Sequence, residues 1–314
     1  MSMTLKVYDP KAVEADLRRY WTQQMAATYF RQPIAFTEIV KRSALYAFLT
    51  HYLPQQGCFL DGGCGANYLA TLLAHGDRRI IGLDFAVETL RHGKAQCPAA
   101  ASVAGDLNCL PFPAGTFDGV LSISTAEHLE NGPRKLFEET WRVLKKDGLF
   151  LLLMPTYNVE DALVAGWQRL CKRPNGVLRE IPHQFGVKHY KVVPDFSEDP
   201  QHGFFAYWCH PRTTRRLLRA AGFTIEHAFF LGVMDGLVRS RVLKRWVKPL
   251  ILQEMRKQIR QMFSPDVAAD GRWLEKVFVL EDVYDSRLNF FTLQCVGRFY
   301  RYLAAFVCRK REVP

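Results

Sequence analysis

The chain has 314 residues, of which 48% are hydrophobic and 23% charged, a composition typical of a folded globular protein rather than a disordered one. The formal net charge is +11, and the half from residue 156 onward holds 26 lysines and arginines against 16 acids. This excess favours an anionic partner, such as an acidic small molecule, nucleic acid or an anionic membrane, and chooses none of them.

Targeting and cysteine patterns exclude several classes. The N-terminal stretch MSMTLKVYDPKAVEAD has no apolar core like that of a signal peptide, and the densest apolar run, LFLLLMP at 149–155, is too short to span a membrane. The eight cysteines include no CxxC pair, so neither a zinc ribbon nor a radical iron–sulfur cluster is indicated. We expect a cytoplasmic protein with reduced thiols.

Elements follow in a regular order. Helical spacing of apolar residues at 10–30 and 34–52 predicts an N-terminal helical cap. Strands and helices then alternate, which indicates a parallel sheet with right-handed crossovers. The predicted strands are 58–61, 78–84, 101–106, 117–124 and 149–155. The predicted helices between them are 67–76, 86–96 and 133–146, the last one stopped by Asp147-Gly148.

Two insertions interrupt this pattern towards the C-terminus. We predict an α/β fold, a Rossmann-like doubly wound sheet with an N-terminal helical cap and two insertions that form a lid or cap. The predicted divisions are a cap (1–53), a core (54–155), an acceptor-pocket lid (156–211), more core (212–231), a helical insertion (232–298) and a last strand with the tail (299–314). The last strand itself is predicted at 303–311.

The loop after the first strand, LDGGCGAN at 60–67, is the most informative motif. Glycines let a ligand approach the backbone closely, and the following helix presents its positive end. A dinucleotide fingerprint would need a third glycine where Tyr68 stands, and Asp61 would repel a pyrophosphate. An acid in this loop suits a ligand that carries an ammonium group and a sulfonium.

Two further acids follow the next two predicted strands. Asp84 stands 23 residues after Asp61, where a carboxylate is able to accept both hydroxyls of a ribose. Asp106 ends the third predicted strand. Taken singly, each acid is equally well a helix cap or a turn residue. Together they favour a nucleoside site at the carboxyl edge of the sheet.

These residues resemble the class I S-adenosylmethionine-dependent methyltransferases, and within them the small-molecule group that includes the ubiquinone and menaquinone methyltransferases. The likeness covers about 58–155 well, and 212–231 and 303–311 loosely. The segments that carry it are LDGGCGAN, IIGLDFAVETL, AGDLNCLPFPAGTFDGVLS, STAEHLEN and EETWRVLKKDGLFLLLMP. The resemblance implies S-adenosyl-L-methionine as cofactor and S-adenosyl-L-homocysteine as product.

By this resemblance Asp61 lies near the amino-acid end of the cofactor, Asp84 binds the ribose hydroxyls and Asp106 accepts from the adenine amino group. Leu107 would lie beside the adenine ring and Ser122 would line the methionyl part. The residues implied around the cofactor are Asp61, Gly63, Cys64, Gly65, Asn67, Asp84, Phe85, Asp106, Leu107 and Ser122.

Two departures from related patterns have consequences. Asn67 stands where the family commonly has glycine, and we expect its side chain to cap the start of the following helix. The Glu-His pair of STAEHLEN also occurs in metal-dependent RNA 2′-O-methyltransferases. Their additional Glu and His are replaced here by Ser124 and Gly132, so no metal is predicted.

The acceptor is less well specified. A hydroxyl acceptor generally needs a base, and the candidates are His128, in the loop after the fourth strand, and His189, Tyr190 and His210, in the first insertion. Each is equally well a structural residue. Weaker candidates are His183, His202, Tyr207, Tyr8, Tyr20 and Tyr29. The basic amphipathic segment 236–263 is interpreted as a cap helix packed on the core or as a peripheral membrane contact.

The leading hypothesis is a methyltransferase that acts on an O or N atom of a small metabolite or lipid-like acceptor of hydrophobic or anionic character. The alternative is a nucleic-acid methyltransferase or binding protein that uses the basic C-terminal half, although no RNA-binding module is visible. A nicotinamide oxidoreductase is disfavoured by Tyr68 and Asp61, and an inactive scaffold by the three intact acids. A small-molecule partner is therefore expected, and nucleic acid is not.

Overall fold

The computed structural model describes residues 41, 44–129, 131–156, 178–183, 186–192, 203–231 and 303–311. The described strands, β1 to β10, are Gly57–Gly62, Arg78–Asp84, Ala101–Ala104, Phe117–Ile123, Leu144–Pro155, Leu178–His183, Gly186–Val192, Gly203–Trp208, Phe223–Leu231 and Leu303–Lys310. The described helices, α1 to α5, are Ala44–Tyr52, Tyr68–Leu73, Val87–Gln96, Arg134–Val143 and Pro211–Ala220, and a 3₁₀ turn spans Ala126–His128. None of these helices is long and apolar enough to cross a bilayer.

Seven strands form one sheet in the order β3-β2-β1-β4-β5-β10-β9. Strands β1 to β5 are parallel, whereas β10 is antiparallel to both of its neighbours. The strand order reverses between β1 and β4, so the loops after these strands diverge at the carboxyl edge and leave a crevice there. The predicted Rossmann-like, doubly wound sheet is confirmed.

Continuous apolar runs explain why the central strands form. Leu149, Phe150, Leu151, Leu152, Leu153 and Met154 of β5 are all buried, as expected for a strand covered by helices on both faces. Helix α4 buries Leu136, Phe137, Thr140 and Val143, and α5 buries Pro211, Thr214, Leu217 and Leu218. This spacing places one apolar stripe of each helix on the sheet.

Several predicted boundaries are wrong. The helix expected over 67–76 ends at Leu73, and the strand expected over 101–106 ends at Ala104. The helix expected over 133–146 ends at Val143, and β5 begins at Leu144, which pairs with Phe117 of β4. The pairing resumes at Gly119 and Leu149, so the residues between belong to an irregularity in the strand. The Lys-Lys-Asp-Gly stretch resembles a helix end. Because Leu144 is buried in the core and pairs with β4, the helix ends before this stretch and the strand begins there.

The first insertion contains an element that was not predicted. Strands β6, β7 and β8 form a separate antiparallel three-stranded sheet. Strand β8 contacts β5 and the 3₁₀ turn, and the buried hydroxyl of Thr156 donates to the carbonyl of Cys209 at 3.0 Å. The insertion is therefore attached at the carboxyl end of β5. The predicted divisions remain predictions, and the segment 236–263 lies outside the described residues.

At the opposite edge of the sheet, one buried arginine joins two helix ends. Arg78, the first residue of β2, is 2% exposed, and burial lowers the pKa of its guanidinium. It donates to the carbonyls of Leu53 (3.1 Å), Pro54 (2.7 Å) and Leu73 (3.2 Å) and to Oε1 of Gln55 (3.2 Å). These carbonyls follow or end α1 and α2, where backbone acceptors lack helical partners and positive charge is favoured.

We expect Arg78→Leu to lower the free energy of unfolding by about 3 kcal/mol, because several buried carbonyls lose their donor at once. Urea unfolding followed by circular dichroism measures the change. Arg79→Leu is the matched control, since Arg79 is the exposed neighbour in the same strand, and its effect should stay within about 0.5 kcal/mol. Equal effects of the two substitutions would contradict the role given to Arg78.

Candidate functional site

The glycine loop, residues 63–67, follows β1 and curls over the end of β2. The amides of Gly63 and Cys64 both donate to the carbonyl of Leu83, at 2.7 and 3.1 Å. Gly63 and Gly65 have φ of 81° and 55°, a backbone region that residues other than glycine and asparagine rarely adopt. The backbone therefore turns sharply at the crevice between β1 and β4.

Asp84, the last residue of β2, is tied to this loop. Its Oδ2 accepts from the amide of Gly65 at 2.8 Å, and its Oδ1 accepts from the amide of Ala86 at 2.9 Å. Burial raises the pKa of this carboxyl, and the backbone bonds oppose that rise. Because a carboxylate has about four acceptor sites, both oxygens retain capacity for ligand hydroxyls while their orientation is fixed.

Asp61 is the most unusual group of the site. It is 2% exposed, and its Oδ2 has no hydrogen-bond partner among the described residues. Burial, and then the nearby charge of Asp84, raises the pKa of the Asp61 carboxyl to about 7. A buried acceptor left in this condition is costly unless something supplies a donor or a positive charge.

Thr125 closes the loop from the side of β4. This residue was not among those that the sequence predicted for the site. Its hydroxyl lies 3.1 Å from the carbonyl of Ile123 and 3.3 Å from that of Gly63. A Cβ placed on Gly63 would lie 2.1 Å from the Thr125 methyl group, so only glycine fits under it. The only signal in the sequence is its position directly after the predicted fourth strand.

The expected capping role of Asn67 is wrong. Asn67 occupies the N-cap position of α2 in a left-handed conformation, φ 60° and ψ 34°, but its side chain makes no capping bond. Its Nδ2 instead donates to the carbonyl of Ala101, the first residue of β3, at 2.8 Å. A left-handed cap position explains why either glycine or asparagine is suitable there.

Two residues expected at the adenine edge lie together after β3. The exposed Asp106 accepts at Oδ1 from the amide and side chain of Asn108, at 2.8 and 3.1 Å, so it is also a turn residue. Leu107 is buried and packs on Gly62, where an added Cβ would lie 3.0 Å from its Cδ2. The acid and the apolar surface expected for a nucleobase are both present.

Helix α4 anchors this adenine-edge loop. Glu139 accepts from the amide of Leu110 at 2.8 Å and forms a two-point ion pair with Arg142, at 2.9 and 2.7 Å. Arg142 also donates to the carbonyls of Leu110 and Phe112, at 2.9 and 2.8 Å. The arginine holds the pKa of the Glu139 carboxyl below its usual range. A planar fork with this many acceptors fixes the loop against the helix.

The other expected cofactor residues lie around the same crevice. Ser122 is fully buried near the end of β4, and its hydroxyl has no partner within the described part of the chain. Phe85 is partly buried directly after Asp84. Cys64 directs its thiol towards the carbonyl of Gly65 at 3.6 Å, and burial with both neighbouring acids raises its pKa well above the usual value. Cys64 is therefore a neutral thiol.

The candidates for a catalytic base lie on different elements of the fold. His128 lies in the 3₁₀ turn with 15% of its side chain exposed, and its Nε2 is 4.0 Å from Oε1 of Glu127. His210 is exposed, and its Nδ1 accepts from the amide of Arg212 at 3.1 Å, so it caps α5. His189 and Tyr190 lie in β7 opposite Ala206 and Phe205 of β8, and only their backbone is described. Their catalytic roles stay predictions.

The weaker candidates receive less support. Tyr207 is fully buried within the core cluster and serves packing, and His183 ends β6. His202, Tyr8, Tyr20 and Tyr29 lie outside the described residues.

Glu127 was missed as a candidate. It is 2% exposed, its Oε2 has no partner among the residues described, and burial raises the pKa of its carboxyl to about 8. The sequence signal was available in STAEHLEN, where the Glu-His pair was considered only as a metal motif.

The charges of the site limit what it binds. Asp61 and Asp84 lie beside the glycine loop, Asp106 follows β3 at the same edge of the sheet, and within the described ranges no lysine or arginine bonds any of them. A pyrophosphate would be repelled by this set. A ligand that brings an ammonium group, hydroxyl donors and a nucleobase amino group fits it, which is the donor set of S-adenosylmethionine.

Comparison with known proteins agrees with a site for S-adenosylmethionine. Residues 60–152 match the family described as a methyltransferase domain. A probable S-adenosylmethionine-dependent methyltransferase of Mycolicibacterium smegmatis is 38% identical over 96 residues, which cover 31% of this chain and 37% of that protein. A malonyl-[acyl-carrier protein] O-methyltransferase of Herminiimonas arsenicoxydans is 30% identical over 145 residues, covering 45% and 47%. The chain thus spans less than half the length of these two relatives.

A solved structure supports the fold independently. A SAM-dependent methyltransferase from Methanosarcina mazei superposes with a TM-score of 0.53 at 13% identity, over 85% of this chain and 99% of that one. The strand order, the site and the sequence match over 60–152 lead to one conclusion: residues 60–152 form a Rossmann-like domain similar to the methyltransferase domain of S-adenosylmethionine-dependent methyltransferases.

Proposed function

We propose that the protein transfers a methyl group from S-adenosylmethionine to an O or N atom of a small acceptor. The observation that carries the proposal is the buried, unpartnered Oδ2 of Asp61 beside the glycine loop and the oriented carboxylate of Asp84. The cofactor supplies an electrophilic methyl group on a sulfonium. The protein's task is then to hold its two substrates in line and to exclude water.

Each acid has a distinct part in this proposal. Asp61 receives the ammonium group, which supplies the positive charge that the buried carboxyl lacks. Asp84 accepts from the ribose hydroxyls with oxygens that Gly65 and Ala86 already orient. Asp106 accepts from the adenine amino group while Leu107 supports the ring. The glycine loop lets the backbone approach the ligand.

The acceptor would lie where β8 packs on β5 and the 3₁₀ turn. We infer a small metabolite or lipid-like acceptor of hydrophobic or anionic character. The similarity to a malonyl-[acyl-carrier protein] O-methyltransferase supports an oxygen acceptor. A carboxylate oxygen needs no base, because it is already deprotonated. A hydroxyl would need one, and His128 in the 3₁₀ turn is a candidate.

The nucleic-acid alternative is not favoured. The relative reported above with a named substrate acts on a carrier-bound malonyl group and not on RNA. Peripheral membrane contact through the segment 236–263 remains a proposal based on its basic amphipathic sequence. RNA binding that weakens steeply with added salt would reverse this preference.

Calorimetry tests the cofactor directly. We expect S-adenosylmethionine and S-adenosylhomocysteine to bind the wild-type protein and NADH not to bind. Asp84→Ala should weaken binding by at least about 100-fold, because two hydrogen bonds to a charged acceptor are lost. Asp77→Ala, an exposed acid in the turn before β2, is the control and should bind normally. Tight NADH binding, or no heat with either adenosyl ligand, would refute the proposal.

The pKa of Asp61 gives a second test. With a pKa of about 7, the Asp61 carboxyl is about half protonated at pH 7. An ammonium group beside it lowers that pKa, so binding of S-adenosylhomocysteine should release about half a proton at pH 7 and should tighten as pH rises from 6 to 8. Titrations in phosphate and Tris, which differ in ionisation enthalpy, measure the proton count.

Asp61→Asn removes the titrating group while keeping the shape of the side chain. For this variant, the binding enthalpy of S-adenosylhomocysteine should therefore be almost the same in phosphate and in Tris. Asp147→Asn, at an exposed position in the irregular first part of β5, controls for the loss of one carboxyl group. Equal proton release by the wild type and Asp61→Asn would show that the ammonium lies elsewhere.

A further inference from the structure

The strongest unassigned feature is the path taken by the Asn67 side chain. Its backbone amide donates to the carbonyl of Cys64 at 2.8 Å and closes the glycine loop into a turn. The side chain, in a residue only 3% exposed, then leaves this turn sideways and does not point along α2. It reaches the carbonyl of Ala101, two strands away from β1.

Gly82 makes this path possible. A Cβ on Gly82, in the middle of β2, would lie 2.5 Å from both Cγ and Oδ1 of Asn67 and 2.6 Å from the thiol of Cys64. Real Cβ atoms do not approach other atoms so closely, so the asparagine crosses β2 at the one residue that has no side chain. Asn67 and Gly82 are therefore complementary in shape.

A second glycine bounds the loop from the helix side. A Cβ on Gly93 of α3 would lie 2.2 Å from the carbonyl oxygen of Ala66, the residue before Asn67. The end of the loop is thus seated between β2 and α3, and the Asn67 bond fastens it to β3. Strand β3 leads directly to Asp106, so one side chain joins the loop near Asp61 to the strand that leads to the adenine edge.

We propose that Asn67 is a positioning residue that holds the glycine loop in its ligand-binding shape before the cofactor arrives, with Gly82 as its required complement. Glycine at position 67 would adopt the same backbone angles but would leave the loop end unfastened. A loop that is already ordered loses less conformational entropy on binding, so affinity increases. The identity of the ligand rests on the proposed function, whereas the ordering of the loop does not.

The test compares Asn67→Gly with the wild type in two measurements. Hydrogen–deuterium exchange of the ligand-free protein should show amides 63–67 exchanging about three- to tenfold faster in the variant, since one hydrogen bond that closes the loop is lost. Calorimetry should show S-adenosylhomocysteine binding weakened by a similar factor. Gly76→Ala is the control: Gly76 has φ 56° at the opposite edge with no atoms near its Cβ position. This control should lower stability and leave both loop measurements unchanged.

A double-mutant cycle tests the complementarity. Gly82→Ala should weaken binding more than Asn67→Gly does, because the new methyl group displaces the asparagine. In the Asn67→Gly background the same substitution should cost clearly less, leaving only the contact with Cys64. Additive effects of the two substitutions would refute the pairing of Asn67 with Gly82.

The outcomes separate the two proposals. Unchanged exchange of residues 63–67 in Asn67→Gly overturns the positioning role, whatever the ligand proves to be. Faster exchange with unchanged affinity for S-adenosylhomocysteine also overturns it, since the side chain would then be only structural. If the wild type binds no adenosyl ligand, the proposed function fails, and exchange in the ligand-free protein alone decides whether Asn67 orders the loop.

Discussion

The site depends on one carbonyl group. The oxygen of Leu83 accepts from two successive amides of the glycine loop, and the side chain of the same residue is fully buried in the core. The loop is therefore positioned by a residue in the interior of the sheet and not by a residue at the surface. The next residue, Asp84, returns a third bond to the loop through Gly65. The strand, the loop and the Asp84 carboxylate are thus one rigid unit, as a preorganised site requires.

Electrostatics at this edge work against stability. Burial raises the pKa of both the Asp61 and the Asp84 carboxyl, the charge of Asp84 raises that of Asp61 further, and no lysine or arginine of the described chain bonds either acid. A core chosen for stability alone would replace Asp61 by an apolar residue of similar size. Such a local conflict is expected at a functional site, where the binding of a cationic ligand would offset the cost of burying the Asp61 carboxyl.

Much of the fold was accessible from the sequence for simple physical reasons. Strands β1 to β5 are apolar runs bounded by glycine and acids, and their alternation with helices left few possible topologies. The end of α4 was not accessible, because burial of Leu144 overrides a stretch that looks like a helix terminus. The three-stranded sheet of the first insertion was also missed, since its segments are rich in histidine and aromatic residues and show no clear period.

The candidate site was likewise predictable from the sequence only in part. The place of its acids was predictable because each lies at or just beyond the carboxyl end of a strand in a parallel sheet, so topology brings them to one edge. The contacts of Asn67 and Thr125 were not, because they join residues far along the chain, such as Ala101 for Asn67 and Gly63 for Thr125. Glu127 stands in a visible motif, but its burial is a property of the fold. Local spacing carries no information about which glycine on a neighbouring strand leaves room for a side chain.

The protonation state of Cys64 has a chemical consequence under the proposed function, in which the site would hold an alkylating cofactor. A thiolate is among the strongest nucleophiles that a protein offers, and one in the glycine loop would compete with the acceptor for the methyl group. Only the ionised form reacts readily, and burial together with Asp61 and Asp84 keeps the sulfur protonated. Under the function proposed above, a protonated Cys64 would therefore not compete with the acceptor for the methyl group.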